Sequence, residues 1–254
     1  MLQLDQSAPD AWDRHWSKLS APMQANPAVL YRRRQALGLL RLAGCGGPVR
    51  FLDFGCGEGT FAAELLGRYP EVQFVGVDQS DAAVRIAQRR APEARFEQID
   101  LFDVDGLAAL QLLAWAEYAL CSEVLEHVDD PVQLLRQLLR CMQSGAQLVV
   151  TVPGGPMSAL DRHLGHRKHY TRSLLVQELH AAGFRSVRAF CAGFPFHNLY
   201  RGAVVMRGQA IIHDAQAQPA GWLAAAYRLA HWSFRLNLPS SPWGWQLLAL
   251  ATAP

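Results

Sequence analysis

The chain has 254 residues, half of them hydrophobic, with 24 Lys or Arg against 22 Asp or Glu and a formal charge of +2. That length and apolar content suit one large α/β domain with a packed core, and the near-neutral balance argues against a nucleic-acid binder, which carries a marked basic excess. Five scattered cysteines with no Cys-x-x-Cys pair suit reduced thiols and a cytoplasmic protein, and Met1–Gln6 lacks the basic and apolar regions of a signal peptide.

Residues 1–45 read as helical. Trp12 and Trp16 stand four apart on one helix face, and a second helix from Pro27 to about Leu42 repeats apolar residues at Leu30, Leu37 and Leu40. Arg32, Arg33 and Arg34 within it read as a solvated face. The run Val49–Phe54 then reads as a buried strand with one carboxylate, Asp53, near its end. Gly55, Gly57 and Gly59 follow, and a helical apolar pattern begins at Phe61. Strand, glycine turn and helix form a ligand cradle, because the backbone can lie against a ligand where no Cβ intervenes and the helix points free N–H groups back at it. The spacing is Gly-x-Gly-x-Gly, whereas a dinucleotide fingerprint wants its third glycine where Thr60 stands.

A second apolar run, Val72–Val77, ends in Asp78, at the distance from the glycines where a ribose-binding acid belongs. A third, Arg95–Ile99, ends in Asp100, and a fourth, Tyr118–Cys121, opens into Ser122, Glu123, Glu126 and His127. Strands near 49–54, 72–77, 94–99, 116–121 and 146–152 alternate with helices near 59–68, 81–90, 105–113 and 130–142. This alternation predicts a parallel sheet with helices on both faces. Asp81 reads as an N-cap and Pro131 as a first-turn residue. A helix over Thr171–Ala182 stops at Gly183, a sixth strand covers Phe184–Phe190, and a last strand covers 245–252.

Two segments fall outside the alternation, 153–170 and 192–242. Both follow strand C-termini, where open α/β sheets bind ligands, so both are expected to form a substrate cap. Residues 221–236 form an apolar helix whose only polar stripe is Arg228, His231 and Arg235. The uncharged stretch Leu236–Pro254 is interrupted by Pro239, Pro242 and Gly244, which leaves no segment long enough to span a bilayer as a helix.

Four motifs, Leu52–Thr60, Gly76–Ser80, Cys121–Val128 and Val149–Pro153, occur in order and together resemble the class I S-adenosylmethionine-dependent methyltransferases. Within that family they look most like the small-molecule branch with the quinone-type O-methyltransferases. The resemblance covers roughly residues 49–190. It implies a Rossmann-like, seven-stranded, mostly parallel sheet whose last strand is antiparallel. It also implies one domain over 1–254, made of an N-terminal helical cover (1–45), a cofactor-binding core (46–191), a cap (192–242) and the last strand (243–254).

The implied cofactor is S-adenosylmethionine. Its amino-acid part is expected against the backbone of Gly55, Cys56, Gly57 and Gly59, with Asp53 fixing the loop or meeting the ammonium. Asp78 is expected to accept both ribose hydroxyls, since a carboxylate offers two acceptor oxygens. Gln79 should lie along the adenine, Asp100 should accept its amino group and Leu101 should sit beside the ring; Ser122 is counted with the cofactor-binding residues, and Glu123 after it reads as structural or as a contact to the donor end. Trp16, Tyr31 and an arginine of 32–34 are candidates for the methionine part.

For catalysis the candidates are His127, His166, His169 and Tyr170. His127 follows the fourth strand and could accept a proton near working pH; it could equally be a helix-start residue that orients a loop. His163, His166 and His169 are spaced by threes, which raises a metal question. No cysteine or extra acid stands at ligand spacing and Gly165 interrupts the run, so no metal is expected. The segment Gly165–Thr171 resembles a Gly-His-x-Arg-x-Tyr-Thr stretch that lines the acceptor side in related methyltransferases; an exposed basic loop is the plainer reading.

The expected activity is methyl transfer to a small-molecule acceptor, with oxygen favoured over nitrogen or carbon. One alternative uses the aminobutyryl arm of the same cofactor and releases methylthioadenosine. Another makes 221–236 a membrane-surface or partner-docking element. No nucleic acid is expected, surface association and a homodimer are both compatible with the sequence, and the acceptor is not specified by it.

Overall fold

The fold is described from a computed structural model, covering residues 26–40, 42, 48–210 and 221–254. Trp16 and the first predicted helix lie outside the described residues.

Helix α1 (Pro27–Leu39) precedes β1 (Arg50–Phe54), α2 (Thr60–Arg68), β2 (Gln73–Asp78), α3 (Asp81–Arg90), β3 (Arg95–Gln98), α4 (Val104–Ala109) and β4 (Ala116–Ser122). A 3-10 turn (Leu125–His127) leads to α5 (Pro131–Cys141), β5 (Met142–Pro153), α6 (Ala159–His163), α7 (Arg172–Ala182) and β6 (Arg185–Ala192). The cap holds α8 (Phe196–Met206), α9 (Gly221–Ser233) and a 3-10 turn (Phe234–Leu236), and β7 (Gln246–Thr252) closes the chain. The seven strands form one sheet in the order β3-β2-β1-β4-β5-β7-β6. β1 to β5 are parallel, and β7 inserts antiparallel between β5 and β6.

Strand alternation splits the core into two layers. Leu52, Phe54, Val75 and Val77 pack on one face with residues of α5 and α7, while Phe51, Phe74 and Phe96 pack on the other with α1, α2 and α3. Asp53 shares the Phe51 side of β1 but lies past the packed rings, at the C-terminal end where the sheet opens. The predicted architecture is therefore observed, and the carboxyl ends of β1 to β4 share one rim.

Several boundaries move. Ser80, not Asp81, caps α3, its side chain accepting from Ala83 N–H at 3.2 Å. Asp81 is the first helical residue, where a carboxylate favours the positive helix end. The helix expected over 105–113 stops at Ala109, and the chain then turns through left-handed backbone at Gln111 and Ala114. The strand expected from 146 begins at Met142, directly after α5, with a break in register on the partner strand between Ala116 and Tyr118. None of the described residues of 221–236 lines the cavity. The segment packs on α1 and leaves Leu229, Trp232 and Leu236 exposed, while α8 supplies the cap wall.

Gly244 seats the entry to β7. A Cβ there would stand 2.3 Å from the Ala192 carbonyl oxygen and 2.5 Å from its nitrogen, and backbone cannot swing aside as a side chain can. Gly244→Ala should thus lower stability by about 1–3 kcal/mol and the melting midpoint by several degrees, read by thermal unfolding. An unchanged midpoint would contradict this seating.

Candidate active site

The strand ends open into a cavity of about 630 Å³, enough for a nucleoside-sized ligand and a small second molecule. Asp53, Gly55, Cys56, Gly57, Asp78, Gln79, Asp100, Leu101 and Ser122 all line it.

The loop after β1 is held in an unusual conformation for a reason. Gly55, Gly57 and Gly59 have φ of 88°, 51° and 72°, a region that side-chain-bearing residues rarely adopt. Gly55 and Cys56 donate to the Val77 carbonyl at 2.8 and 3.0 Å, and Gly57 donates to Asp78 Oδ2 at 2.8 Å. Asp78 Oδ1 accepts from Ser80 N–H at 2.9 Å, so one carboxylate fastens the loop to β2 while lining the cavity. Gly59 is not in the lining. A Cβ there would lie 2.9 Å from the Ala87 backbone, so this glycine lets α2 and α3 meet. No side chain caps the N-terminus of α2, and its free N–H groups remain open to a ligand.

Asp53 is 2 % exposed, and its Oδ1 accepts no hydrogen bond among the described residues. Burial, reinforced by the Asp78 charge, pushes its carboxyl up to about 8. A buried carboxyl of this kind at a cavity wall suits a cationic ligand group.

The opposite end of the cavity is polar. Arg32 pairs with Glu123 at 3.0 Å, and Glu123, itself in left-handed backbone, accepts from Thr151 Oγ1 at 3.0 Å and Gln246 Nε2 at 3.2 Å. Ser122 shares a 2.8 Å hydrogen bond with Thr151. Arg201, on α8, pairs with Asp161 at 2.7 Å, and the Ser158 N–H and hydroxyl donate to the same Oδ2 at 2.7 Å each. Burial alone would raise Asp161, but the Arg201 charge and these hydrogen bonds hold it down at about 2. Asp161 therefore contributes stability above the ordinary carboxylate range, and that contribution is lost as pH falls toward 2. Arg201→Gln should leave Asp161 buried without its cation and lower unfolding free energy at pH 7 by about 3 kcal/mol. Urea denaturation reads this, and a loss within error would contradict it.

His127 and His166 both line the cavity, their rings 4.7 Å apart edge to face. Burial drives His166 down to about 4, so it is neutral at physiological pH. Glu126 is fully buried, with His127 Nε2 at 3.9 Å from Oε1, and its burial beside Glu123 raises its carboxyl well above the ordinary range.

The remaining candidates stand elsewhere. His169 and Tyr170 lie behind the cavity wall. The Tyr170 hydroxyl donates to Glu178 Oε2 at 2.9 Å, and burial pushes it upward, which makes it a structural group. Tyr31 also misses the cavity. Its ring stacks on His197 at 5.3 Å and meets Phe234 edge-on, while Arg32 and Arg33 from the neighbouring helix face line the wall. Acids absent at ligand spacing in the sequence are brought in by the fold, which sets Asp161 within 4.8 Å of His166 and His169, and Glu126 within the same span of His127 and His166.

A family model described as a methyltransferase domain matches residues 28–189, more than half of the chain. The chain belongs to the class I S-adenosylmethionine-dependent methyltransferase family. A trans-aconitate 2-methyltransferase of Acidovorax ebreus is 30% identical over 162 residues, which are 63% of this chain and 60% of that protein. The chain thus spans less than two thirds of the length of this and a second such relative, from an Acidovorax strain. A solved S-adenosylmethionine-dependent methyltransferase from Archaeoglobus fulgidus superposes with a TM-score of 0.55 at 18% identity, covering 88% of this chain and 93% of that one. A [4+2]-cyclase superposes with a TM-score of 0.57 at 20% identity, covering 87% and 81%. At such identities the likeness shows the fold alone, and the cyclase illustrates that the fold does not dictate the reaction.

The family's cofactor fits these residues on two structural grounds. Asp53 Oδ1 is buried and accepts no hydrogen bond among the described residues, a fit for a cationic group, and Gly55 and Gly57 of the loop line the cavity in left-handed backbone beside the α2 terminus, which no side chain caps. Asp78 and Asp100 line the cavity at the ends of β2 and β3, neighbouring strands of the sheet.

Sequence reading offered an arginine of 32–34, and Arg32 and Arg33 line the cavity, but it missed Arg201, His197 and Asp161. His197 and Arg201 stand four apart on α8, and that spacing was the available signal.

Proposed function

We propose that this protein moves a methyl group from S-adenosylmethionine to an oxygen of a small, carboxylate-bearing acceptor. The observation that carries the reading is the division of one cavity into two ends. Asp53, Asp78 and Asp100 line one, and the guanidinium groups of Arg32 and Arg201 with neutral His166 line the other. The relatives' name adds support for a carboxylic acid acceptor, since aconitate is a tricarboxylate.

When bound, the cofactor supplies an electrophilic methyl group on a positively charged sulfur. The chain's residues hold and orient. Asp78 and Asp100 fix the nucleoside, and the glycine loop admits the amino-acid part. Arg32 and Arg201, each already tied to a carboxylate partner, present rigid donors to an anionic acceptor. Holding two reactants at attack distance is worth several kcal/mol, up to about 10. A carboxylate acceptor needs no base, whereas a hydroxyl would pass its proton to an unprotonated imidazole, the role His166 is placed to fill.

The test incubates purified protein with S-adenosylmethionine and a panel of di- and tricarboxylic acids, phenols and amines, with chromatography of the products. S-adenosylhomocysteine together with a methyl ester is the expected outcome. Methylthioadenosine in its place would transfer the assignment to chemistry of the aminobutyryl arm.

A further inference from the structure

Running back from His166 in the cavity wall, two imidazoles and one backbone carbonyl form a hydrogen-bonded chain. His169 Nδ1 stands 3.0 Å from the Gly155 carbonyl oxygen, and His166 Nδ1 stands 3.2 Å from His169 Nε2. A carbonyl can only accept, so His169 Nδ1 must carry the hydrogen. In a neutral His169 the proton is then used, Nε2 is bare, and it can only accept. His166 must therefore donate from Nδ1, which leaves its own Nε2 bare. The Nδ1 side of that ring faces His169, which lies outside the cavity lining, while His166 itself lines the cavity. We infer that His169 is a positioning residue which, anchored on Gly155, locks His166 in the Nδ1–H tautomer and leaves Nε2 as a proton acceptor on the cavity side.

The backbone around the chain is pinned from both directions. Tyr170 N–H donates to the Pro153 carbonyl at 2.8 Å and forms a bridge with Gly154, which places His169 beside Gly155 at the end of β5. Gly155 has a φ of 69°, and a Cβ there would collide with the Trp245 ring at 2.6 Å, so this carbonyl position requires glycine. Across the loop, His166 N–H donates to the Asp161 carbonyl at 2.9 Å and Arg167 N–H to the Glu126 carbonyl at 2.8 Å. These bonds fasten His166 against the turn that carries His127.

Asp161 is the group that could spoil the arrangement. Its Oδ2 lies 3.6 Å from His169 Nε2, and a carboxylate there would ordinarily draw a second proton onto that ring. Here the same oxygen already accepts from the Ser158 N–H, the Ser158 hydroxyl and Arg201, each at 2.7 Å. Its acceptor capacity is taken, and 3.6 Å is too long for a hydrogen bond. The other charged or titratable groups facing the pair are Glu123, Glu126, His127 and Arg201. Arg201 opposes a positive charge on either ring.

The role in proton transfer rests on the methyl-transfer reading, but the tautomer does not. It can be measured in the resting protein, without cofactor or acceptor, so the two ideas fail separately. The experiment is ¹⁵N–¹H correlation across the imidazole rings of histidine-labelled protein, with His166→Asn assigning the peaks. His166 is expected as the Nδ1–H tautomer and neutral at pH 7. His169→Phe removes the acceptor and should convert His166 to a mixture of tautomers. His169→Gln carries an amide donor and acceptor separated by one carbon, as in the imidazole, and should restore the wild-type signature. A far-ultraviolet dichroism spectrum and a melting midpoint close to wild type would certify each variant's fold. An Nε2–H tautomer in wild type, or a His166 signature indifferent to His169→Phe in a folded variant, overturns the inference.

Discussion

Asp78→Ala is expected to weaken binding of S-adenosylhomocysteine by two to four orders of magnitude. The carboxylate lines the cavity while its two oxygens accept from Gly57 N–H at 2.8 Å and Ser80 N–H at 2.9 Å. A carboxylate oxygen can accept more than one hydrogen bond, so the same two oxygens can also meet the ribose hydroxyls. Hydrogen bonds to a charged group are worth about 1.5–3 kcal/mol each, so losing the two to ribose alone removes about 3–6 kcal/mol. Release of Gly57 loosens the loop as well and pushes the loss toward the upper end. Asp78→Asn keeps one acceptor oxygen and should fall between. Calorimetric titration of the three proteins decides the matter, with far-ultraviolet dichroism to confirm the fold. Wild-type affinity in the alanine variant would remove the assignment of this end of the cavity to a nucleoside.

That end was legible in the sequence because its parts are local. Glycines cluster within five residues after an apolar run, and each acid follows its own strand directly, so a pattern of period two and a count of residues locate them. The opposite end is assembled by tertiary packing. Arg32 meets Glu123, and Arg201 meets Asp161, partners whose separation along the chain leaves no periodic trace. On α1 the two candidates fall on different faces: Val29, Arg32, Arg33 and Ala36 turn to the cavity, whereas Tyr31 turns to His197. The histidine run failed as a unit for a similar reason. Gly165, in left-handed backbone at φ 82°, ends α6 and folds His166 back over Asp161, so a local count of ligands could not see the acid that stands beside it. The helix cap at Ser80 was misplaced by one residue because Ser and Asp are both good caps, and the structure decides by giving Asp78 the Ser80 N–H and Ala83 the Ser80 hydroxyl.

Asp53 gives the cavity a proton-linked signature that should appear in binding itself. Its carboxyl is raised to about 8 by burial and by the Asp78 charge, against an ordinary value of 3.8. A group raised in the folded state contributes stability at pH below its unfolded value and loses it as pH rises through the folded one. The ligand-free protein should therefore weaken steadily between about pH 4 and pH 8, by on the order of 5 kcal/mol if this group acts alone. An ammonium placed against Asp53 reverses the balance, because an opposite charge at close range favours the ionised carboxylate. At pH 7 about nine tenths of the free protein carries the Asp53 proton, so binding S-adenosylhomocysteine should release nearly one proton. Titration in two buffers of different ionisation enthalpy measures that number directly. Asp53→Asn cannot ionise. It should abolish the proton release, raise the melting midpoint of the ligand-free protein at pH 9, and weaken the ligand by about tenfold or more through loss of a charge-assisted contact. Observed heats independent of buffer in the wild type would show that no cation meets Asp53, and the amino-acid part of the ligand would then have to lie elsewhere along the loop.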